Sequence, residues 1–156
     1  MQKSTLICSL GVGLSALLQY GCGEVDPAAP PVIRLGDTAC TECGMIVSDD
    51  RFGTATVING DRGQETLIFD DFSCQMKFEA KHPDLQIVTR WSRDYGTLEW
   101  LHTQNAWFVH ASELHTPMAS NMAAFKARSD AEKAAQELGG TVCDFNECAT
   151  FIRSVP

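Results

Sequence analysis

Positive charge is scarce in this chain: 12 Lys and Arg stand against 20 Asp and Glu over 156 residues, a formal net charge of −8. Such an acidic surface repels phosphate backbones and anionic headgroups. It excludes nucleic acid as a partner and favours a cationic patch on another protein. Long hydrophobic runs are also missing, since the one sustained apolar stretch, Leu6 to Leu18, is too short to span a bilayer as a stable helix. No second Cys-x-x-Cys accompanies the first, and Cys143 and Cys148 are spaced one residue wider than a zinc ribbon uses. The histidines offer no metal-pair spacing either: His102 and His110 stand apart, and His82 sits at a helix end where a cationic ring suits the dipole.

What is present begins with an export signal. Residues 1–21 carry Lys3 as their only charge ahead of the apolar run, the pattern of a segment that is removed. Gly21-Cys22-Gly23 matches the small-residue-then-Cys junction of a bacterial lipoprotein, with Cys22 receiving the lipid; Gln19 and Tyr20 depart from that pattern, and ordinary secretory cleavage is the alternative. Residues 22–35, with Pro27-Ala28-Ala29-Pro30-Pro31, read as a lipid-anchored tether. Taking 21 residues from 156 leaves 135, enough for one domain or two small lobes sharing a core, with a charge near −9. Of the seven cysteines, setting aside Cys8 and Cys22 leaves Cys40, Cys43, Cys74, Cys143 and Cys148. Five is odd, so at least one thiol is free, bound to metal or paired between chains.

The order of elements predicts an α+β fold of two small lobes, each β-β-α-β, joined by a linker. In residues 36–90, Phe52 to Ile58 and Thr66 to Phe69 form a hairpin about Asn59-Gly60-Asp61-Arg62-Gly63. Asp70 or Asp71 caps a helix that His82-Pro83 stops, and Leu85 to Thr89 is a third strand. Residues 91–105 read as the linker. In residues 106–156, Ala106 to His110 and Met118 to Phe125 are strands, Ser129 or Asp130 starts a helix that Gly139-Gly140 ends, and Thr141 to Phe145 is a closing strand. Cys74, inside the first helix, reads as a small buried hydrophobe.

The chemistry concentrates in Cys40-Thr41-Glu42-Cys43-Gly44-Met45. Two thiols and a thioether within six residues are polarizable donors that select Cu(I), or zinc if the thioether stands aside. A Cys-x-x-Cys alone also serves redox dithiols and structural bridges, and a Cys40–Cys43 disulfide is the bland alternative in an exported protein. If the segment is extended, Cys43 and Met45 project to one face and can point at one ion. Met118 and Met122, four apart, would likewise be neighbours on a strand or a helix, either as ligands or as gap-filling core. His115 stands three residues before Met118, near the ion or facing solvent. Cys143 and Cys148 fit a disulfide better than a second metal site, because no further soft ligand lies near them.

These motifs together resemble the NosL family of exported copper-binding lipoproteins, which serve maturation of the copper enzyme nitrous oxide reductase. The likeness is carried by residues 37–46 around Cys-Gly-Met, by Phe69-Asp70-Asp71-Phe72-Ser73-Cys74, by Ala106-Trp107-Phe108-Val109, by Thr116-Pro117-Met118, and by Ala124-Phe125 with Asp130-Ala131 and Gly139-Gly140. The resemblance implies lobes similar to the small domain of organomercurial lyase. It implies Cu(I) held by Cys and Met sulfur, with Cys43, Met45 and Met118 matching the family motifs, Cys40 able to join, and Met122 a further candidate. The implied function is a periplasmic, lipid-anchored metallochaperone of denitrification rather than an enzyme, delivering Cu(I) to nitrous oxide reductase with its maturation machinery. The competing reading is a thiol oxidoreductase or lyase using Cys40 and Cys43. Against it, Thr41-Glu42 places an acid between the thiols, which disfavours thiolate, and a lyase would rest on fold analogy alone.

Overall fold

Two residues, Asp61 and Arg62, reverse the chain between β1 (Thr54–Gly60) and β2 (Gly63–Phe69) in the computed structural model, which describes residues 29–154. Residues 1–21, read from the sequence as an export signal, and Cys22 lie outside the described residues. Gly63 takes φ +116°, a conformation that a side chain would oppose. β3 (Ile87–Arg93) and β4 (Trp100–His102) complete an antiparallel sheet in the order β2-β1-β3-β4. β1 is buried from Thr54 to Ile58 because it is central and covered, hence its continuous run of β-branched and small residues.

Helix α1 (Phe72–Lys81) starts at Asp71, whose Oδ1 accepts from the Ser73 N–H at 2.6 Å, and ends ahead of Pro83, which disfavours helical geometry in the residue before it. Polar side chains join the helix to the sheet. Gln75 Nε2 donates to Ala55 O and Thr56 Oγ1, both at 2.9 Å, and Thr56 Oγ1 donates to Glu79 Oε1 at 2.7 Å. Arg90 Nη2 reaches Glu79 Oε2 at 2.9 Å, so the buried carboxylate is both paired and hydrogen-bonded.

The second lobe repeats the order. β5 (Trp107–His110) lies between β6 (Met122–Phe125) and β7 (Thr141–Cys143), and α2 (Arg128–Leu138) ends at Gly139 in the left-handed region, φ +62°. Three features depart from the sequence expectation. Residues 91–105 hold the end of β3, all of β4 and a 3-10 turn at Thr103–Asn105, so they belong to the first sheet instead of forming a free linker. The strand expected from Met118 begins only at Met122, because Ala119 (φ +57°) and Asn121 (φ +54°) turn the chain back on itself. A further helix, α3 (Phe145–Ser154), follows β7 and is tied to it by the Cys143–Cys148 disulfide, with Cα atoms 6.0 Å apart.

The lobes are stitched together at Asp94, which bridges in parallel to Ala124 while its carboxylate accepts from the Gly96, Thr97 and Lys126 N–H groups at 2.8–3.0 Å. Burial pushes this carboxyl up, but those N–H groups outweigh it and hold it below the ordinary value. Helix α1 has two working faces. Phe72 and Met76, one turn apart, enter a core with Leu101, Phe108, Met122 and Ile152. On the opposite side of the same helix, Cys74 and Phe78 pack with Cys40, Phe69 and Met118.

Candidate metal centre

The loop ahead of β1 doubles back on itself. Gly44 N donates to Cys40 O at 2.9 Å, Cys40 N donates to Met45 O at 2.7 Å, and Ala39 pairs antiparallel with Ile46. Gly44 makes the reversal with φ +73°. A hydrogen bond of 2.7 Å from Thr41 N to Ile68 O then presses the loop onto the edge of the sheet, above α1. The segment is therefore a tight turn and not an extended run. Cys43 packs inward on the cluster around Cys40, whereas Met45 stays 49% exposed.

The turn and the helix together bring three thiols to one place: the Sγ atoms of Cys40, Cys43 and Cys74 all lie within 4.8 Å of one another. No other such grouping of metal-ligating side chains occurs among the described residues. Cys40 and Cys74 are buried and Cys43 forms the partly open side. Met118, from the second lobe, packs against the same cluster. Met122 does not. It is 3% exposed in the core with Phe72 and Met76, since the reversal at Ala119 and Asn121 separates it from Met118. His115 is exposed on the loop before Pro117.

The three thiols are not equivalent. A hydrogen bond from the Cys74 thiol pushes Cys40 down from 9.0 to about 5 against the opposing effect of burial, with backbone N–H groups of Cys43, Asp70 and Glu42 adding to the pull. Cys74 is pushed up by that same hydrogen bond and then by burial. Cys43 is pushed up chiefly by burial, and the neighbouring Cys40 charge adds to it. Within this hydrogen-bonded pair the surroundings favour the thiolate on Cys40 and the proton on Cys74.

Cys74 is the site residue that local sequence reasoning passed over. Its signal was the odd cysteine count: with Cys143 and Cys148 bridged, the described residues keep three free thiols, and all three converge. Three thiols with an adjacent thioether make a low-coordinate, all-sulfur pocket suited to a soft monovalent or thiophilic ion.

Comparison with known proteins identifies the fold and the family. No curated protein sequence matches the chain. Among solved structures, it is similar to the crystal structure of the copper chaperone NosL from Shewanella denitrificans, with a TM-score of 0.66 and 19% sequence identity over 78% of this chain and 96% of that one, a likeness of fold. The family model for NosL matches residues 31–150, most of the chain and all of the sulfur cluster, and the protein belongs to the NosL family.

Proposed function

We propose that this protein is a Cu(I) carrier that takes the ion into the Cys40, Cys43 and Cys74 cluster, with Met118 as a thioether donor from the second lobe. The observation that carries the reading is the convergence of the three sulfurs within 4.8 Å beside Met118. Soft sulfur selects Cu(I) over hard ions, and a partly open Cys43 side leaves room for an acceptor's sulfur or imidazole to enter before a carrier sulfur leaves. Met45, exposed beside Cys43, is placed to meet the ion as it arrives or departs. Membership of the NosL family supports nitrous oxide reductase, with its maturation machinery, as the acceptor. The similarity to a copper chaperone supports the carrier role. The signal-like character of residues 1–21 supports a periplasmic location with lipid on Cys22 as the membrane anchor. No helix among the described residues is long and apolar enough to cross a membrane.

The oxidoreductase alternative is disfavoured by the order of the thiols. A dithiol enzyme attacks with an exposed, acidic thiolate. Here the acidic thiol, Cys40, is 2% exposed, and the accessible one, Cys43, is pushed up by burial. Titration of the reduced domain against a competing Cu(I) chelator, with X-ray absorption of the loaded protein, tests the carrier reading: one ion in a shell dominated by sulfur is expected. A shell of nitrogen and oxygen, or no competition with the chelator, refutes it.

A further inference from the structure

The loop that carries Met118 has no strand or helix of its own, and three of its polar contacts run to the first turn of α1 in the other lobe. Asp71 is at the centre of them. An N-cap needs one side-chain oxygen, and Oδ1 fills that role on the Ser73 N–H. The second oxygen is not needed for the helix: Oδ2 accepts from the Met118 N–H at 3.2 Å and from the Ser120 N–H at 3.3 Å, and Ser73 Oγ donates to Met118 O at 3.3 Å. Asp71 is fully buried, and so is Ser120, so the Ser120 N–H depends on this carboxylate, while the Met118 N–H, on a half-buried residue, is drawn to the same oxygen. Within the loop, Thr116 Oγ1 accepts from Asn121 N at 3.1 Å, while Ala119 holds a left-handed φ of +57° that alanine avoids unless its surroundings impose it. The turn is closed on itself and then fastened to α1 by one carboxylate.

We propose that Asp71 is a positioning residue for the metal centre, a latch between the lobes that sets Met118 at the mouth of the thiol cluster; this rests on the reading of Met118 as a Cu(I) ligand. One side chain fixes the helix turn that bears Cys74 and, 47 residues away in sequence, the backbone of Met118. Thioether and thiols are thereby held at one separation before any ion arrives. Outer partners that orient ligands in this way carry a measurable share of metal affinity.

The test uses Asp71→Ser, which keeps a capping oxygen for Ser73 but is too short to serve Met118 and Ser120. In the reduced, metal-free protein, amide hydrogen exchange at Met118 and Ser120 should accelerate while the amides of β1 keep their protection. Cu(I) affinity should fall by about tenfold, no more than Met118→Ala alone loses. Adding Met118→Ala to Asp71→Ser should then weaken binding by no more than about twofold beyond Met118→Ala alone, since both changes remove the same interaction. Losses that multiply, or unchanged exchange at Met118 and Ser120, overturn the latch. If Asp71→Ser does not fold, Asp71→Asn preserves size and cap while setting an amide NH2 against both loop donors, the Met118 and Ser120 N–H groups, and the same pattern is required of it. Wild-type protein that binds no Cu(I) refutes the copper reading itself. Wild-type binding that Asp71→Ser leaves intact refutes the positioning role alone.

Discussion

Cys74→Ala separates a ligand from a packing residue. The side chain is 1% exposed and lies against Cys40 and Phe69, so its removal as packing costs about 1 kcal/mol of stability, the scale of one small buried group. As a ligand it matters more. Losing one of three thiolates should weaken Cu(I) binding by about 100-fold, roughly 2.8 kcal/mol, because neither water nor a neutral thioether replaces an anionic soft donor. The variant should also alter Cys40 without copper: the hydrogen bond that holds Cys40 near 5 comes from Cys74, so its thiolate must form at higher pH once the donor is gone. Chelator competition reads the affinity, denaturant unfolding reads the stability, and thiolate absorbance against pH reads Cys40. Wild-type affinity with a stability loss of about 1 kcal/mol would make Cys74 a filler and return the site to Cys43, Met45 and Met118.

Other outcomes follow from the same geometry. Because Cys43 and Cys74 are both pushed up, filling the cluster with a three-thiolate ion at neutral pH expels two protons, and the logarithm of apparent Cu(I) affinity should rise by about 2 per pH unit between about pH 6 and 8; a flat profile would show that no thiol deprotonates on binding. Met118→Ala should weaken equilibrium binding by about tenfold, whereas Met45→Ala, at an exposed position, should chiefly slow transfer to an acceptor in stopped-flow measurements; equal losses of affinity would place both thioethers on the resting ion. Gly44→Ala meets no atom within 4 Å, so its cost of about 1–2 kcal/mol is purely that of φ +73°, and a drop in both melting temperature and Cu(I) affinity is expected. Reduction or Cys148→Ser opens a short loop between β7 and α3 and should lower stability by about 2 kcal/mol with Cu(I) affinity unchanged; a loss of binding would connect α3 to the site.

Local signals in the chain were legible because their physics is local. The hairpin at Asn59 to Gly63 follows from turn residues, α1 from an acidic cap and a stopping proline, and the α2 terminus from Gly139, each acting within a few positions. The stretch around Cys40 and Cys43 announced a sulfur site by composition alone. β4 and α3 escaped notice for the converse reason: β4 is a strand only through pairing with β3, and α3 only through the apolar face it lays against α1 and β5, neither of which a short segment reveals by itself.

Sequence by itself determined the number and order of the β-β-α-β units, the acidic surface, and the presence of soft sulfur side chains in a turn permitted by Gly44. Tertiary structure alone decided which sulfurs meet. Cys74 reaches Cys40 because α1 turns residues 74 and 78 toward the loop while it turns 72 and 76 into the core. Met118 and Met122, near-equivalent by spacing, are parted by two left-handed residues whose conformation the loop's contacts with α1 help to impose. A sulfur cluster drawn from a loop, a helix and a second lobe depends on separations fixed by packing, and packing is a property of the whole chain, not of any window along it.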